Sequence, residues 1–285
     1  MWGEDHVPVT LRCGGGLLTI GRPLVMGIVN ATPDSFYCES RTPGAGALEQ
    51  RLAQIVEEGA DIIDIGGYST RPGASEISVE EEWERVDRAL EIARRMAGDD
   101  AVISIDTFRA EIARRSVVGY GVSIINDISG GDLDGEMYET VAELGVAYIL
   151  MHTRGTPATM QTMTRYDDVV ADVYSDLLFK IDKLHDLGVA DIILDPGFGF
   201  AKTAEDNFAL LDNLEVFTRT GLPVLAGLSR KSMIWRTLGV TPEESLNGTV
   251  ALNMCALERG ASVLRVHDVL AARQTVELFL KMRHL

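Results

Sequence analysis

The stretch EEGADIIDIGG (57–67) ends a helical segment on Gly59, passes one small residue, and then runs through Ile62, Ile63 and Ile65 to a pair of glycines. The same rhythm returns in ELGVAYILMH (143–152), DLGVADIILDPG (186–197) and ERGASVLRVHD (258–268). A glycine just past the last helical turn takes the left-handed conformation that closes a helix. A short apolar run following it reads as a buried strand. Each phrase is one helix-to-strand step of a parallel α/β fold.

Eight such apolar runs recur, at 24–30, 61–67, 102–106, 123–127, 147–152, 191–195, 223–229 and 262–267. Segments with helical spacing of apolar residues separate and follow them, at 47–58, 79–96, 109–118, 136–144, 167–187, 205–218, 242–259 and 269–282. Eight strands alternating with eight helices over roughly 250 residues predict an α/β fold of the (β/α)₈ TIM-barrel type. A doubly wound sheet would carry a glycine fingerprint after its first strand, and none is present. VPVTLRCGGGLLTIG (7–21) reads as a hairpin around Gly14–Gly16 that caps the barrel bottom. The chain is thus expected to be one domain, residues 1–20 forming the hairpin and 21–285 the barrel.

The 285 residues are 46% hydrophobic and 24% charged, ample for a large core, with a formal net charge of -17. That charge argues against sequence-independent nucleic-acid binding and against an anionic membrane surface. An anionic ligand must be held by a local cluster of positive charge. No leader pattern and no run of membrane-spanning length is seen, so a cytoplasmic location is expected. Cys13, Cys38 and Cys255 are odd in number and widely spaced, which predicts reduced thiols rather than a disulfide or zinc pattern.

The runs end on groups able to hold a ligand: Asn30, Gly66-Gly67, Asp106, Asn126-Asp127, His152, Asp195, Ser229-Arg230 and Arg265-Val266-His267. In a parallel barrel these ends form one face, where active sites lie. Asp106, Asn126 and Asp195 suit a heterocycle rich in N–H groups, because ionised carboxylates only accept hydrogen bonds. Each carboxylate could instead pair with a neighbouring arginine or cap a helix. Lys231, Arg265 and His267 follow the seventh and eighth strands, where such barrels often bind phosphate. Asn30 either forms a turn with the TPDS that follows or offers an amide oxygen to Mg²⁺ alongside substrate phosphates, and spacing leaves both open. GGYSTRPG (66–73) reads as a lid. His152 has no partner at metal-ligand spacing, and no nucleophile or Walker motif occurs.

Taken together, MGIVNATPDSF (26–36), GGYSTRPG (66–73), SIDT (104–107), NDISGG (126–131), MHTRGTPATMQ (151–161), DPGFGFAKT (195–203), GLSRKS (227–232) and RVHDV (265–269) resemble the dihydropteroate synthase family, in order and from about residue 21 onward. The resemblance implies condensation of 6-hydroxymethyl-7,8-dihydropterin diphosphate with p-aminobenzoate in folate biosynthesis, with pyrophosphate released. It implies a pterin held by Asp106, Asn126, Met151, Asp195 and Lys231. Pyrophosphate would meet Asn30, Arg265 and His267, with Mg²⁺ on Asn30, and p-aminobenzoate would meet Phe36, Thr70, Arg71, Pro72, Phe200 and Ser232. Catalysis would fall to Asp106, Lys231, Arg265 and His267. A homodimer through the last helices is implied, with Leu252, Met254 and Leu257 as contact candidates. The family's first loop commonly reads TPDSFSDGG, and here it is TPDSFYCES, with Cys38 in place of the loop aspartate and Glu39 one position on. Two other readings stay open: a pterin barrel that transfers methyl from methyltetrahydrofolate to a corrinoid protein, and a silent pterin-binding paralogue.

Overall fold

In the computed structural model, which describes residues 2, 8–13, 15–32, 45–69 and 76–284, eight parallel strands follow one another around a barrel. They are β3 (Leu24–Asn30), β4 (Ile62–Gly66), β5 (Ile103–Asp106), β6 (Ile124–Asp127), β7 (Ala147–Met151), β8 (Ile192–Asp195), β9 (Leu225–Ala226) and β10 (Val263–Val266). Neighbours pair in chain order from β3 to β8, and β10 lies between β9 and β3. A parallel bridge from Leu194 to Val224 closes the remaining seam between β8 and β9. Isoleucine and valine fill the strands because both faces of a parallel barrel are covered. Val25, Ile62, Ile65, Ile103, Ile125 and Ile193, for example, are fully buried.

An antiparallel hairpin, β1 (Val9–Cys13) with β2 (Gly16–Ile20), precedes the barrel. The Arg12 amide donates to Asp191 Oδ1 (2.9 Å) and the Trp2 indole to the Ala261 carbonyl (2.9 Å). Both acceptors lie just before barrel strands, so the hairpin sits against the bottom, as expected.

The helices are α1 (Ala45–Glu57), α2 (Val79–Ala97), α3 (Ala110–Tyr120), α4 (Met137–Leu144), α5 (Val169–Asp186), α6 (Ala204–Asp212), α7 (Glu215–Thr218), α8 (Ser232–Leu238), α9 (Leu246–Glu258) and α10 (Val269–Arg283). Gly145 closes α4 at φ 61°, its N–H donating to the Val141 carbonyl, which is the stop read from the repeated phrase. Among the described residues no helix is long and apolar enough to cross a membrane.

Four elements differ from those expected. The helix expected over 205–218 breaks into α6 and α7 at Asn213, whose side-chain amide donates to the Ala209 carbonyl (2.9 Å). The seventh strand shrinks to two residues, since Pro223 has no N–H to give a ladder and Gly227 follows at once. The short helix α8 was not anticipated, and the stretch at 243–245 is a tighter 3₁₀ turn before α9. Leu257 is fully buried in the chain's own core and is therefore withdrawn as a dimer contact, whereas Leu252 and Met254 are only partly covered.

The loop after β5 is anchored by a buried ion pair. Glu82 of α2 accepts from Thr107 Oγ1 (2.7 Å) and from Arg109 Nη1 (2.9 Å). Burial raises the Glu82 carboxyl pKa, and Thr107 and Arg109 pull it back. Arg109 in turn lies against the Tyr68 and Phe108 rings and donates to the Ile77 carbonyl, tying the start of the 66–73 loop to α2. Glu82→Ala is expected to lower folding stability by about 3–5 kcal/mol, because it strands a partly buried guanidinium. Urea unfolding checks this, and a loss below about 1 kcal/mol, the range of exposed pairs, would contradict it.

Candidate active site

Side chains alternate across a strand, so Asn30, Asp64, Asp106, Asn126, Met151, Asp195 and Arg265 share one face of their strands. All but Asp64 line a single cavity at the carboxyl ends of the barrel, together with Phe200, Lys231, His267, Tyr68 and Ser69. Asp64, one pleat below Gly66, is completely buried beneath them. Nine of the predicted site residues thus come together. Ser232 does not line the cavity; it is the exposed first residue of α8, beside Lys231. Phe36, Thr70, Arg71 and Pro72, like Cys38 and Glu39, lie outside the described residues.

The floor is an ionic cluster. Arg265 donates through Nε to Asp64 Oδ2 (2.7 Å) and through Nη2 to Asp106 Oδ2 (2.5 Å). The arginine pairing weighed for each carboxylate therefore holds for Asp106. Burial raises the Asp106 pKa, while Arg265 pulls it down. Burial also works against charge on Arg265, but Asp64 and Asp106 outweigh it and raise its pKa further.

Among the described residues Asp195 makes no arginine pair. Its Oδ1 accepts from the Gly197 amide (2.7 Å), and burial raises its pKa against the pull of Lys231. Gly197 is required there: its φ is 75°, and a Cβ would collide with the His152 carbonyl. Lys231 lies with Nζ 4.9 Å from the centre of the Phe200 ring and donates to the Phe198 carbonyl. Burial pushes its pKa down to about 8, with Asp195 opposing. One arc of the cavity therefore presents carboxylate and amide acceptors, and the other presents N–H donors.

His267 differs from the cationic reading. Its Nδ1 lies 3.0 Å from Ser229 Oγ, and burial, then Arg265 and Arg51, lower its pKa to about 4. In the ligand-free site these shifts favour the neutral imidazole at pH 7. The imidazole signals of His267 are expected to stay in the neutral form from pH 5.5 to 8. An NMR titration midpoint near the ordinary 6.5 would contradict this.

Two buried residues escaped the sequence reading. Asp64 carried a signal, an acid inside an apolar run and in step with the strand end. Lys202 carried none, since one lysine after a glycine-rich turn looks like a solvated charge. Its Nζ sits 3.0 Å from His152 Nδ1 and donates to the carbonyls of Gly197 (3.0 Å) and Phe200 (3.0 Å). Burial lowers its pKa to about 7, and burial with Lys202 lowers that of His152 to about 2. His152 is thus a neutral partner that ties the loops after β7 and β8 together.

Residues 26–267 match the family model described as pterin binding enzyme. Dihydropteroate synthase of Escherichia coli K12 is 43% identical over 266 residues, covering 92% of each chain. The structure of Xanthomonas albilineans dihydropteroate synthase with 4-aminobenzoic acid has a TM-score of 0.89 at 39% identity, over 98% of this chain and all of that one. The same enzyme in complex with 7,8-dihydropteroate has a TM-score of 0.85 at 36% identity, over 97% of this chain and 100% of that one. The chain belongs to the pterin-binding enzymes, within the dihydropteroate synthase family of folate-biosynthetic transferases.

Proposed function

We propose that the barrel mouth condenses 6-hydroxymethyl-7,8-dihydropterin diphosphate with p-aminobenzoate, giving 7,8-dihydropteroate and pyrophosphate. The two-sided lining of the cavity carries this reading: acceptors on Asp106, Asn126 and Asp195, donors on Lys231, Arg265 and His267. The N–H-rich edge of the pterin faces the acceptors, and Met151 packs on the ring. Arg265 and His267 take the diphosphate, and the Phe200 ring flanks the ring of the amine substrate. By the family resemblance, Phe36 joins Phe200 in flanking that substrate ring, Thr70, Arg71 and Pro72 close over p-aminobenzoate, and Ser232 receives its carboxylate.

The chemistry needs no covalent enzyme intermediate. The bond from the pterin methylene carbon to the diphosphate oxygen breaks, with the electron pair leaving on pyrophosphate. Arg265 and His267 stabilise the growing charge on the leaving group. Asp106 and Asp195 stabilise the positive charge delocalised over the dihydropterin. The p-aminobenzoate nitrogen attacks the methylene carbon from the opposite side in a pre-aligned pose and then loses its proton to solvent.

Mg²⁺ fits this mouth only as a companion of the diphosphate. Among the described residues no group of three His, Cys, Asp or Glu side chains can hold a metal, and Asn30 offers a single amide oxygen. Mg²⁺ commonly binds through one or two protein ligands plus phosphates and water. When bound, it supplies charge neutralisation at the leaving group, with Asn30 holding it.

A homodimer packed through α9 and α10 accords with the exposed Leu270, Leu278 and Met282 of α10. A cytoplasmic location accords with the reduced-thiol reading.

The test follows both products. Equal amounts of pyrophosphate and dihydropteroate from the two substrates support the reading. Methyl transfer from methyltetrahydrofolate without pyrophosphate would favour the corrinoid alternative. Pterin binding with no release would make the chain a silent paralogue.

A further inference from the structure

We propose that Asp64 is a positioning residue: held below the cavity, it dictates that Asn126 shows its carbonyl oxygen, and not its amino group, to the pterin. Asp64 lies inside β4 with no exposed surface, so a ligand in the mouth does not reach it. Among the described residues its carboxylate hydrogen-bonds with two groups, Arg265 and Asn126, that line the cavity. Arg265 donates to Oδ2 at 2.7 Å, and Asn126 Nδ2 stands 3.2 Å from Oδ2 and 3.4 Å from Oδ1. Ser104, its register neighbour on β5, is also buried, yet its hydroxyl has no partner among the described residues. The carboxylate is therefore committed to the two lining residues.

The consequence follows from donor and acceptor chemistry. A carboxylate only accepts, so the amide of Asn126 must turn its NH₂ toward Asp64. The amide oxygen is then the atom left for the cavity. Without that constraint the two ends of an amide are nearly equivalent in shape, and only hydrogen-bond partners choose between them. With it, Asn126 joins Asp106 and Asp195 as a third acceptor, matching a ligand edge made of N–H donors. Asp64 also engages Arg265, leaving Nη1 as the terminal N–H₂ taken by neither carboxylate. One buried acid thus sets the polarity of the acceptor arc and leaves a donor of Arg265 free for the other. This assignment rests on the pterin reading above.

The test compares Asp64→Asn with the exchanged pair Asp64→Asn/Asn126→Asp. The single variant lets Asn126 present either end, and affinity for 6-hydroxymethyl-7,8-dihydropterin is expected to fall about tenfold or more. It also removes a negative charge beside Arg265, so affinity for inorganic pyrophosphate with Mg²⁺ is expected to hold or rise. The exchanged pair rebuilds an acid–amide contact with an acceptor-only group at 126, and pterin affinity is expected to recover. Parent-like pterin binding in a folded Asp64→Asn would overturn the proposal. So would parallel losses for pterin and pyrophosphate, which mark a merely structural role, or failure of the exchanged pair to recover pterin binding. If Asp64→Asn does not fold, the exchanged pair alone decides. Because the readout is binding, a parent that forms no dihydropteroate counts against the activity and not against Asp64.

Discussion

Arg265→Gln is expected to slow pyrophosphate release by about 10²–10³-fold, the loss typical when one preorganised donor to a developing anion is removed. Two effects add in the same direction. The leaving group loses a guanidinium whose charge is reinforced by Asp64 and Asp106. Those two carboxylates are then left without their shared partner. Asp106, already raised by burial and held down mainly by Arg265, would bind its proton more tightly. A protonated Asp106 donates where the pterin edge needs an acceptor. Residual activity in the variant should therefore climb with pH more steeply than in the parent, as Asp106 deprotonates. Arg265→Lys, which keeps the charge but not the fork of donors, is expected to fall between. Rapid-quench measurement of pyrophosphate checks the order, and a Gln variant within threefold of the parent would contradict it.

Asp195→Ala is expected to weaken pterin binding by about 10²-fold, on the order of 3 kcal/mol for a buried charge-assisted contact. The same substitution leaves the Gly197 amide without its acceptor and withdraws the charge that supports protonated Lys231. Lys231 is charged below its pKa of about 8 in the parent, with Asp195 holding that value up. Removing Asp195 lowers it further. Pterin affinity is expected to decline as Lys231 loses its proton, and to do so at lower pH in the variant than in the parent. Fluorescence titration from pH 6 to 9 reads both effects. Unchanged affinity, or a decline displaced to higher pH, would count against the assigned roles of Asp195 and Lys231.

Much of this was legible in the chain because strand and helix periods differ and the glycine stops recur. Every expected strand appears, and Gly145 closes its helix as the repeated phrase predicts. Where the reading fell short, a single residue overrode the period. Pro223 shortened β9 by withholding an N–H, and the Asn213 amide broke a helix that apolar spacing alone would have continued.

Most of the cavity was legible for a related reason. Polar residues at strand ends are conspicuous after apolar runs, and the barrel gathers those ends on one face. Asp64 was legible only as an odd acid in step with the strand end, and Lys202 not at all, because their significance is pairwise. An acid within β4 means little until Arg265, 201 positions away, lies across from it. Lys202 means little until the carbonyls of two loops converge on its ammonium. His267 was legible as a site residue but not in its charge, since its neutrality comes from burial beside Arg265 and Arg51. The amine-substrate loops were read from motif resemblance, and most of their residues lie outside those described.

One cavity is expected to hold the pterin against Asp106, Asn126, Asp195 and Lys231, and the leaving group against Arg265 and His267. A crystal structure with 6-hydroxymethyl-7,8-dihydropterin diphosphate, Mg²⁺ and no p-aminobenzoate tests it most directly. The N–H edge of the pterin is predicted against Asp106, Asn126 and Asp195, with the diphosphate at Arg265, His267 and Asn30. A pterin turned with its diphosphate toward Asp195, or bound away from the carboxyl ends of the strands, would contradict the account.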